Sequence, residues 1–394
     1  MARNDMVQRH IILRGSRALT RDTFGGPALE MSAVAETLTV ETAEIARHDI
    51  PMLARDASVL AIAPAMPMSL VKPLDVHDAT AAEAGDIAWG VRAVGAHSSV
   101  FDGNGVVVAV LDTGIDPLHP AFAGVELVRR NFTTEADDDL HGHGTHCAGT
   151  IFGRKVGSTR IGVAPGVRKA LIGKVLGQGS GSTEGLVSAI QWALDNGAQV
   201  ISMSLGFDFP GFAKQLQDAG LPPELAASRA LEGYRANLRL FDRLASLIQA
   251  RAQAAVVIAA AGNESRRDVD PRFEVGVAPP AVADGFVSVG ALGQAGGLLN
   301  VAGFSNTGAN VCGPGVAIVS AKAGGGLATM SGTSMATPHV AGVAALWAQS
   351  IQMVQPLSGL HLVAKLVGLA TFGGLAGSVD RADAGAGLVQ APQS

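Results

Sequence analysis

Short apolar runs that alternate with helical patterns dominate the chain from residue 104 onward. Nearly every position in these runs is apolar. They cover residues 106–112, 169–176, 200–206, 256–263 and 286–292. Strands that are buried on both faces have this pattern, which is typical of a parallel sheet covered by helices. Because the runs alternate with helical segments, the pattern predicts an α/β fold with a doubly wound, mostly parallel sheet.

The first part of the chain has a different pattern. Strand-like runs occur at 11–13 and 58–64, and a helix-prone stretch extends from Ala28 to Arg47. This predicts a small α+β domain over residues 1–75. Residues 76–86 are mostly small and polar, which is typical of a linker. The larger domain then covers residues 87–394.

A segment at about 207–250 interrupts the alternation of strands and helices. Apolar side chains recur there every three or four positions, at Leu231, Tyr234, Leu238, Phe241, Leu244 and Ile248. This spacing predicts an amphipathic helix, and Pro222 and Pro223 suit its start. Two interpretations of this helical insert remain open: a surface helix packed on the main domain, or a lid or partner surface near the functional site.

Composition excludes several classes of protein. With 48% hydrophobic and 16% charged residues, the chain can bury a large core and is not intrinsically disordered. The net charge is -5, and no run of lysine or arginine suggests a nucleic acid or an anionic membrane as a partner. No apolar stretch approaches the ~20 residues of a membrane span. The N-terminus lacks a secretory signal, so we expect a cytoplasmic protein, with secretion by another route left open.

Four polar residues at strand ends or helix starts fit nucleophilic catalysis. Asp112 ends the run 106–112, Asn263 ends another run, His143 lies in a glycine–histidine segment, and Ser334 begins a small-residue helix. A serine hydroxyl needs a histidine to take its proton, and a buried carboxylate to orient that histidine. An amide donor then holds the oxyanion. We expect all four to meet at the carboxyl edge of the sheet.

Each of these residues also has a structural interpretation. Asp112 and Ser334 could be helix caps, and Asn263 could belong to a turn. His141, His143 and His146 could form a metal site, although no matching carboxylate or cysteine cluster accompanies them. Two cysteines, Cys147 and Cys312, exclude a disulfide-rich scaffold, and we expect buried free thiols rather than a bridge. The joint occurrence of the four polar residues favours catalysis.

Three segments resemble the subtilase family of serine proteases. They are DTGID at 112–116, HGTHCAG at 143–149 and GTSMATPHVAG at 332–342. The order aspartate, histidine, serine is that of subtilisin. The resemblance extends from about Ala88 to at least Ala348, and it implies a subtilisin-like fold.

The resemblance implies a role for each of the four residues. Asp112 orients the histidine, His143 is the general base and then the acid, and Ser334 is the nucleophile of an acyl-enzyme. Asn263 and the Ser334 backbone N–H form the oxyanion hole. Substrate-binding positions follow from the same resemblance: Gly179, Ser180 and Gly181 on one strand, Ser204, Leu205 and Gly206 on the facing strand, and Glu264 and Gly276 in the specificity pocket.

The first domain resembles the family's inhibitory propeptide. The resemblance implies that the N-terminal segment acts as an intramolecular inhibitor, with residues 68–74 lying in the cleft as a product-like strand. It also implies a self-processing precursor, cleaved between about Leu74 and Ile87. The partners we expect are this segment and a peptide or protein substrate.

No cofactor is expected. Relatives in the family carry a calcium loop after the HGTHCAG segment, whereas this chain has Arg154, Lys155 and Arg160 there, and Ala121 where a carboxylate ligand is common. Three cations and a missing carboxylate disfavour a calcium ion, which prefers oxygen ligands. We therefore expect the usual calcium site to be absent, and no other metal site.

These features predict a serine endopeptidase. The alternative from another class is a peptide-binding relative that is non-catalytic or permanently inhibited. A third possibility is a self-processing maturation protease with one dedicated protein substrate, which the helical insert favours.

Overall fold

A central sheet carries the larger part of the chain. In the computed structural model, the described residues are 7–16, 37–79, 85–178, 180–207, 209–251 and 253–394. The strands are β1 (Val7–Ser16), β2 (Thr37–Ala46), β3 (Val59–Pro64), β4 (Pro67–Leu70), β5 (Leu74–Ala79), β6 (Val107–Asp112), β7 (Glu126–Asn131), β8 (Lys155–Val156), β9 (Thr159–Arg160), β10 (Lys169–Lys174), β11 (Ser180–Ser182), β12 (Val200–Met203), β13 (Leu205–Phe207), β14 (Val256–Ala260), β15 (Val287–Ala295), β16 (Leu298–Val301), β17 (Val311–Pro314), β18 (Ile318–Ala321) and β19 (Leu327–Ser331).

Helices cover both faces of this sheet. The helices of the described residues are α1 (Ile50–Leu53), α2 (Trp89–Ala93), α3 (His143–Phe152), α4 (Thr183–Asp195), α5 (Phe209–Asp218), α6 (Pro223–Ala250), α7 (Thr333–Gln352), α8 (Gly359–Gly368) and α9 (Arg381–Ala384). Within the described ranges, none of them is both long enough and apolar enough to cross a membrane.

The strand order of the central sheet is β7-β10-β6-β12-β14-β15-β17, and all of these neighbours are parallel. An antiparallel strand, β16, pairs with the far end of β15. The chain enters the sheet at β6, adds strands on one side, and then crosses to the other side. This arrangement confirms the predicted doubly wound, mostly parallel α/β fold, whose ligands bind at the carboxyl ends of the strands.

The core consists of two apolar layers, one on each face of the sheet. In β6, Val108 and Val110 point to the layer beneath α3 and α7, while Ala109 and Leu111 point to the layer beneath α4 and α6. Successive side chains of a strand alternate between faces, so both faces are buried only if every position is apolar. This explains the continuous runs in the sequence.

The part of the chain before the larger domain, which we call the N-terminal unit, forms a separate antiparallel sheet with the order β2-β1-β3. The predicted helix from Ala28 to Arg47 is wrong where the structure describes it, because residues 37–46 form strand β2. Their β-branched residues pair with β1 along ten positions, and this pairing overrides the helix preference of alanine and glutamate. Residues 28–36 lie outside the described residues.

The predicted linker, residues 76–86, is wrong in its first part. Residues 76–79 belong to β5, which pairs with β19 beside the start of α7. The sequence did not indicate this strand, because the pairing partner lies far along the chain. Residues 80–84 lie outside the described residues, and residues from 85 onward lead into the larger domain.

The helical insert consists of two helices, α5 and α6. The predicted amphipathic helix is confirmed, and it begins at Pro223, where proline suits the first turn. Leu240, Phe241 and Leu244 of α6 enter the core beneath the sheet, together with Ile11 and Leu13 of the N-terminal sheet. The insert therefore packs on the main domain and also supports the N-terminal unit.

Candidate active site

A buried pair of Asp112 and His143 lies at the carboxyl end of β6. The Nδ1 of His143 donates to the Oδ1 of Asp112 across 2.7 Å, and both side chains are 2% exposed or less. Burial alone would lower the pKa of His143, but the charge and the hydrogen bond of Asp112, together with the neighbouring Cys147, outweigh it and hold this pKa well above 6.5. The carboxylate thus fixes the neutral tautomer in which Nδ1 carries the proton and Nε2 can accept one.

A second carboxylate, Asp139, supports this pair and was missed from the sequence. It accepts hydrogen bonds from the backbone N–H of Gly142 and Thr145 and from the hydroxyls of Thr113 and Thr145. Asp139 therefore caps the start of α3 and fixes Thr113, the neighbour of Asp112. An acidic residue a few positions before a helix start was the available signal.

Glycine at position 144 allows α3 to approach β6 closely. A Cβ at this position would collide with the backbone carbonyl of Gly114 and lie 3.2 Å from the Cβ of Asp112. The backbone N–H of Gly144 also donates to the hydroxyl of Thr113 across 2.9 Å. The glycine of the HGTH segment thus brings the imidazole within reach of the carboxylate.

Ser334 lies in the first turn of α7 and is fully buried. Its Oγ donates to the backbone carbonyl of Val71 across 2.9 Å, rather than to His143. The Nε2 of His143 has no hydrogen-bond partner among the described residues. The structure thus forms the carboxylate–imidazole half of the predicted triad, while the serine hydroxyl is held by a peptide carbonyl of the chain itself.

Asn263 follows β14 and points its amide into the same cleft. Its Oδ1 accepts from both the backbone N–H and the hydroxyl of Thr333, each across 2.9 Å. This fixes the amide so that its Nδ2 faces outward, where it donates to the carbonyl of Lys72 across 3.0 Å. The serine and the amide therefore contact adjacent peptide units of one strand.

The segment that occupies the cleft is β4, which pairs antiparallel with β11 on one side and β13 on the other. Ser180 and Gly181 lie in β11, and Leu205 and Gly206 lie in β13; these are the residues that the resemblance assigns to substrate-binding strands. Ser204 precedes β13, and its hydroxyl donates to the carbonyl of Ser334 across 3.2 Å. Gly179 lies outside the described residues.

The two predicted pocket residues, Glu264 and Gly276, meet at Asn306. The Nδ2 of Asn306 donates to the Glu264 carboxylate across 2.6 Å and to the Gly276 carbonyl across 3.2 Å. Asn306 was not identified from the sequence; it is fully buried and links both strand-end loops. This residue lies on a third loop, so spacing along the chain gave no signal for it.

The side chain of Val71 is buried against Gly206. A Cβ at Gly206 would lie 3.8 Å from Val71 Cγ2, 3.6 Å from the Pro279 carbonyl and 3.9 Å from the Cβ of Ala278. Lys72, the next residue, is exposed. The Val71 side chain therefore packs against the backbone at Gly206, where an added Cβ would make only ordinary van der Waals contacts.

The histidine cluster does not converge on one metal position. The Nε2 of His146 donates to the carbonyls of Ile318 and Ala328 across 3.0 and 3.2 Å, and burial lowers the pKa of His146 to about 3. Cys147 is a buried free thiol, 3.8 Å from His143 Nδ1. In the described ranges, the residues that gather three possible ligand atoms within 4.8 Å are Asp112, His143 and Cys147.

In the region after α3, the guanidinium group of Arg160 is surrounded by backbone carbonyls. Arg160 donates through Nε to Gly162 and through Nη2 to Ala96 and Val163, across 3.0–3.1 Å. Ala121 is fully buried nearby and offers no carboxylate. Backbone carbonyl oxygens of this region thus already bind a positively charged side chain of the protein itself.

Comparison with known proteins agrees with this architecture. The model of the subtilase family matches residues 103–372, which include Asp112, His143, Asn263 and Ser334. The chain belongs to the subtilase family. The match does not include the N-terminal unit.

Relatives of this subtilase include proteases from bacteria and fungi. It is 33% identical to M-protease of Shouchella clausii over 320 residues, which is 79% of this chain and 69% of that protein. It is 34% identical to subtilisin-like protease 6 of Trichophyton verrucosum over 246 residues, which is 62% of this chain. That match spans only 52% of the fungal protein, about half of its length.

A solved structure gives the same fold. This subtilase matches the crystal structure of a cold-adapted subtilisin-like serine proteinase with a TM-score of 0.55 and 30% identity. The match covers 76% of this chain and 97% of that chain. The predicted subtilisin-like fold is confirmed.

Proposed function

We propose that this subtilase is a serine endopeptidase in which Asp112, His143, Ser334 and Asn263 carry the reaction. The observation that carries the proposal is the peptide strand in the cleft. Its carbonyl at Val71 accepts a hydrogen bond from the Ser334 hydroxyl, 2.9 Å away, while the buried Asp112–His143 pair lies at the same edge of the sheet.

The proposed reaction follows from these positions. Ser334 rotates from the peptide oxygen toward Nε2 of His143, which takes its proton as Oγ attacks the carbonyl carbon. As the oxyanion forms at Val71, the amide of Asn263 moves to it from the adjacent Lys72 carbonyl and, with the backbone N–H of Ser334, stabilises it. His143 then protonates the leaving nitrogen as the C–N bond breaks, and water hydrolyses the acyl-enzyme by the reverse use of the same groups.

We further propose that the chain processes itself at the Val71–Lys72 bond. The register of β4 with β13 leads Val71 into the buried position at Gly206. The next bond, Lys72–Pro73, is a poorer candidate because proline lacks an N–H and restricts the residue before it. The Val71–Lys72 bond lies upstream of the window between Leu74 and Ile87 that the sequence suggested.

The same geometry supports the N-terminal unit as an intramolecular inhibitor. Both sides of the proposed bond are anchored, because β4 pairs with the cleft strands and β5 pairs with β19. The serine hydroxyl and the Asn263 amide are both occupied by this segment. The cleft is therefore closed to other peptides until the N-terminal unit leaves.

Replacing Ser334 by alanine tests both proposals. Intact-mass measurement of the purified wild-type protein should show a new N-terminus at Lys72, and the Ser334→Ala protein should remain uncut at 39.9 kDa. An N-terminus at Pro73 would instead place the cleavage at the Lys72–Pro73 bond and contradict the choice of Val71–Lys72. Processing that persists in Ser334→Ala, with no contaminating protease, would overturn the role of Ser334.

Labelling by a fluorophosphonate distinguishes an active protease from a binding-only relative. The probe should label wild-type protein at Ser334 once the N-terminal unit has been removed, because an activated serine is required. A matched change at the exposed Ser246, Ser246→Ala, should leave labelling unchanged. Absence of labelling in wild-type protein from which the N-terminal unit has been removed would favour the peptide-binding alternative.

The rate of peptide cleavage should depend on pH through His143. This residue must be neutral to accept the serine proton, and its pKa lies well above 6.5. We therefore expect kcat/KM to rise with pH, with a midpoint above 6.5. In Asp112→Asn, the midpoint of the residual activity should move to lower pH, because burial then acts without the carboxylate. A wild-type midpoint below 6.5 would contradict this assignment.

Calcium should contribute little to stability through the loop after α3. We propose that Arg160 replaces the cation there, because its guanidinium already binds three backbone carbonyls. Adding calcium to chelator-treated protein should shift the melting temperature by less than about 1 °C, which is below about 1 kcal/mol for a chain of this size. A rise of many degrees would show a stabilising cation site and contradict the proposal.

A further inference from the structure

The side chain of Met66 is only 1% exposed, although it belongs to the segment that crosses the cleft. It packs against Phe212, Leu216, Ala226 and Ala230, all of which come from the helical insert. This cluster is separate from the two core layers of the main domain. We call it the insert pocket. The wall of this pocket belongs to the protease, and the occupant belongs to the N-terminal unit.

The backbone of Met66 is bound in the same way as the strand that follows it. Its N–H donates to the Thr183 hydroxyl across 3.0 Å, and its carbonyl accepts from the Thr183 backbone N–H, also across 3.0 Å. The antiparallel pairing of β4 with β11 thus continues to Met66. With the proposed bond after Val71, Met66 is the sixth residue before the cleavage point.

The insert pocket is closed at its base by Gly233. A Cβ at this position would lie 3.0 Å from Cε1 of Phe212, 3.3 Å from Cγ of Pro64 and 3.6 Å from Sδ of Met66. The pocket therefore packs closely around a long, unbranched apolar side chain on the side of Gly233. Methionine is flexible and adapts to such a shape.

We propose that the helical insert forms an additional substrate-binding site, which selects proteins with a long apolar residue at the sixth position before the scissile bond. This proposal rests on the proposed function, because it takes the strand in the cleft as a stand-in for substrate. Backbone pairing at Thr183 positions the substrate residue, and the insert pocket buries its side chain. The insert thereby lengthens the recognised sequence from the residues beside Ser334 to a stretch of six.

Three peptides test this site on the enzyme from which the N-terminal unit has been removed. One peptide has the sequence of residues 65–74, and its partner carries aspartate in place of Met66. A third peptide begins at Met68 and lacks the sixth residue. Because a single methylene group in an apolar pocket already discriminates by about 10- to 200-fold, we expect kcat/KM for the methionine peptide to exceed that for the aspartate peptide at least tenfold.

Substitutions in the insert pocket should change this preference and spare the short peptide. Phe212→Ala enlarges the pocket, so the preference should move from methionine toward tryptophan at the sixth position. Ala230→Phe fills the pocket and should bring the methionine-to-aspartate ratio close to one. Ala227→Phe makes the same change at an exposed position of α6 and should leave the ratio at its wild-type value.

The outcomes separate this proposal from the proposed function. If no peptide is cleaved, the proposed function fails. If the short peptide is cleaved but the wild-type enzyme treats methionine and aspartate alike, the substrate site is refuted, and the pocket serves only to hold the N-terminal unit. An unchanged preference in Phe212→Ala would also refute it, since a purely structural role predicts no shift toward a larger side chain.

Discussion

Replacing Asp112 by asparagine is expected to lower kcat by about 10⁴-fold, the general cost of removing the orienting carboxylate of a serine–histidine–aspartate triad. In this protein, the Oδ1 of Asp112 holds the Nδ1–H of His143 across 2.7 Å in a fully buried setting. An asparagine would present either an amide donor or a weaker acceptor there. The imidazole would then favour the tautomer whose Nε2 carries a proton and cannot accept one from Ser334.

The exposed Asp138 offers a matched control. Asp138→Asn makes the same chemical change on the surface and should leave peptide cleavage at the wild-type rate. Both variants should be compared on processed enzyme with the short peptide, so that differences in self-processing do not enter. An Asp112→Asn enzyme within tenfold of the wild-type kcat would exclude Asp112 from the orienting role.

The main sheet could be predicted because its signal is local. Both faces of β6 are buried, so each position from Val107 to Leu111 had to be apolar, and the run is visible without knowledge of the partner strands. Strand β2 gave no such signal. Its alanine and glutamate residues suit a helix, and its strand conformation depends on pairing with β1, which lies elsewhere in the sequence.

The main residues of the candidate site could also be predicted from local signals. Each of its four main residues ends or follows a strand or begins a helix, where local pattern and chemistry agree: Asp112, His143, Asn263 and Ser334. The supporting residues gave a weak signal or none, because Asp139 is marked only by its place shortly before a helix start, and Asn306 has no local sign at all. Asp139 and Asn306 act through loops that meet only in the folded chain, so their hydrogen bonds to Thr113 and to Glu264 have no counterpart in local spacing.

The attachment of the N-terminal unit explains why cleavage alone would not open the cleft. Ile11 and Leu13 are fully buried in the same apolar layer as Phe241 of the insert. The exposed ion pair of Arg47 and Glu232 adds little, since such pairs contribute about 0–1 kcal/mol. Release therefore requires loss of a shared apolar interface, and the bond after Val71 is only one of several attachments.

Removing the side-chain amide of Asn263 is expected to lower kcat by about 10²–10³-fold, with KM nearly unchanged. The magnitude is the one established for the oxyanion-hole asparagine of subtilisin, a member of this family, and is carried over here. The physical reason lies in the fixed orientation of the amide. Thr333 donates twice to its Oδ1, so Nδ2 is already directed into the cleft, at the Lys72 carbonyl next to the proposed scissile carbonyl, before charge develops.

Two variants separate the donor from the structural contact. Asn263→Asp keeps acceptors for Thr333 but loses the donor, whereas Asn263→Ala loses both. If stabilisation of the oxyanion is the role of Asn263, both should lose kcat, because an interaction made only in the transition state changes kcat and kcat/KM together. The exposed Asn104→Ala is the matched control. A rise in KM at constant kcat in Asn263→Asp would instead assign Asn263 to ground-state binding of the substrate strand.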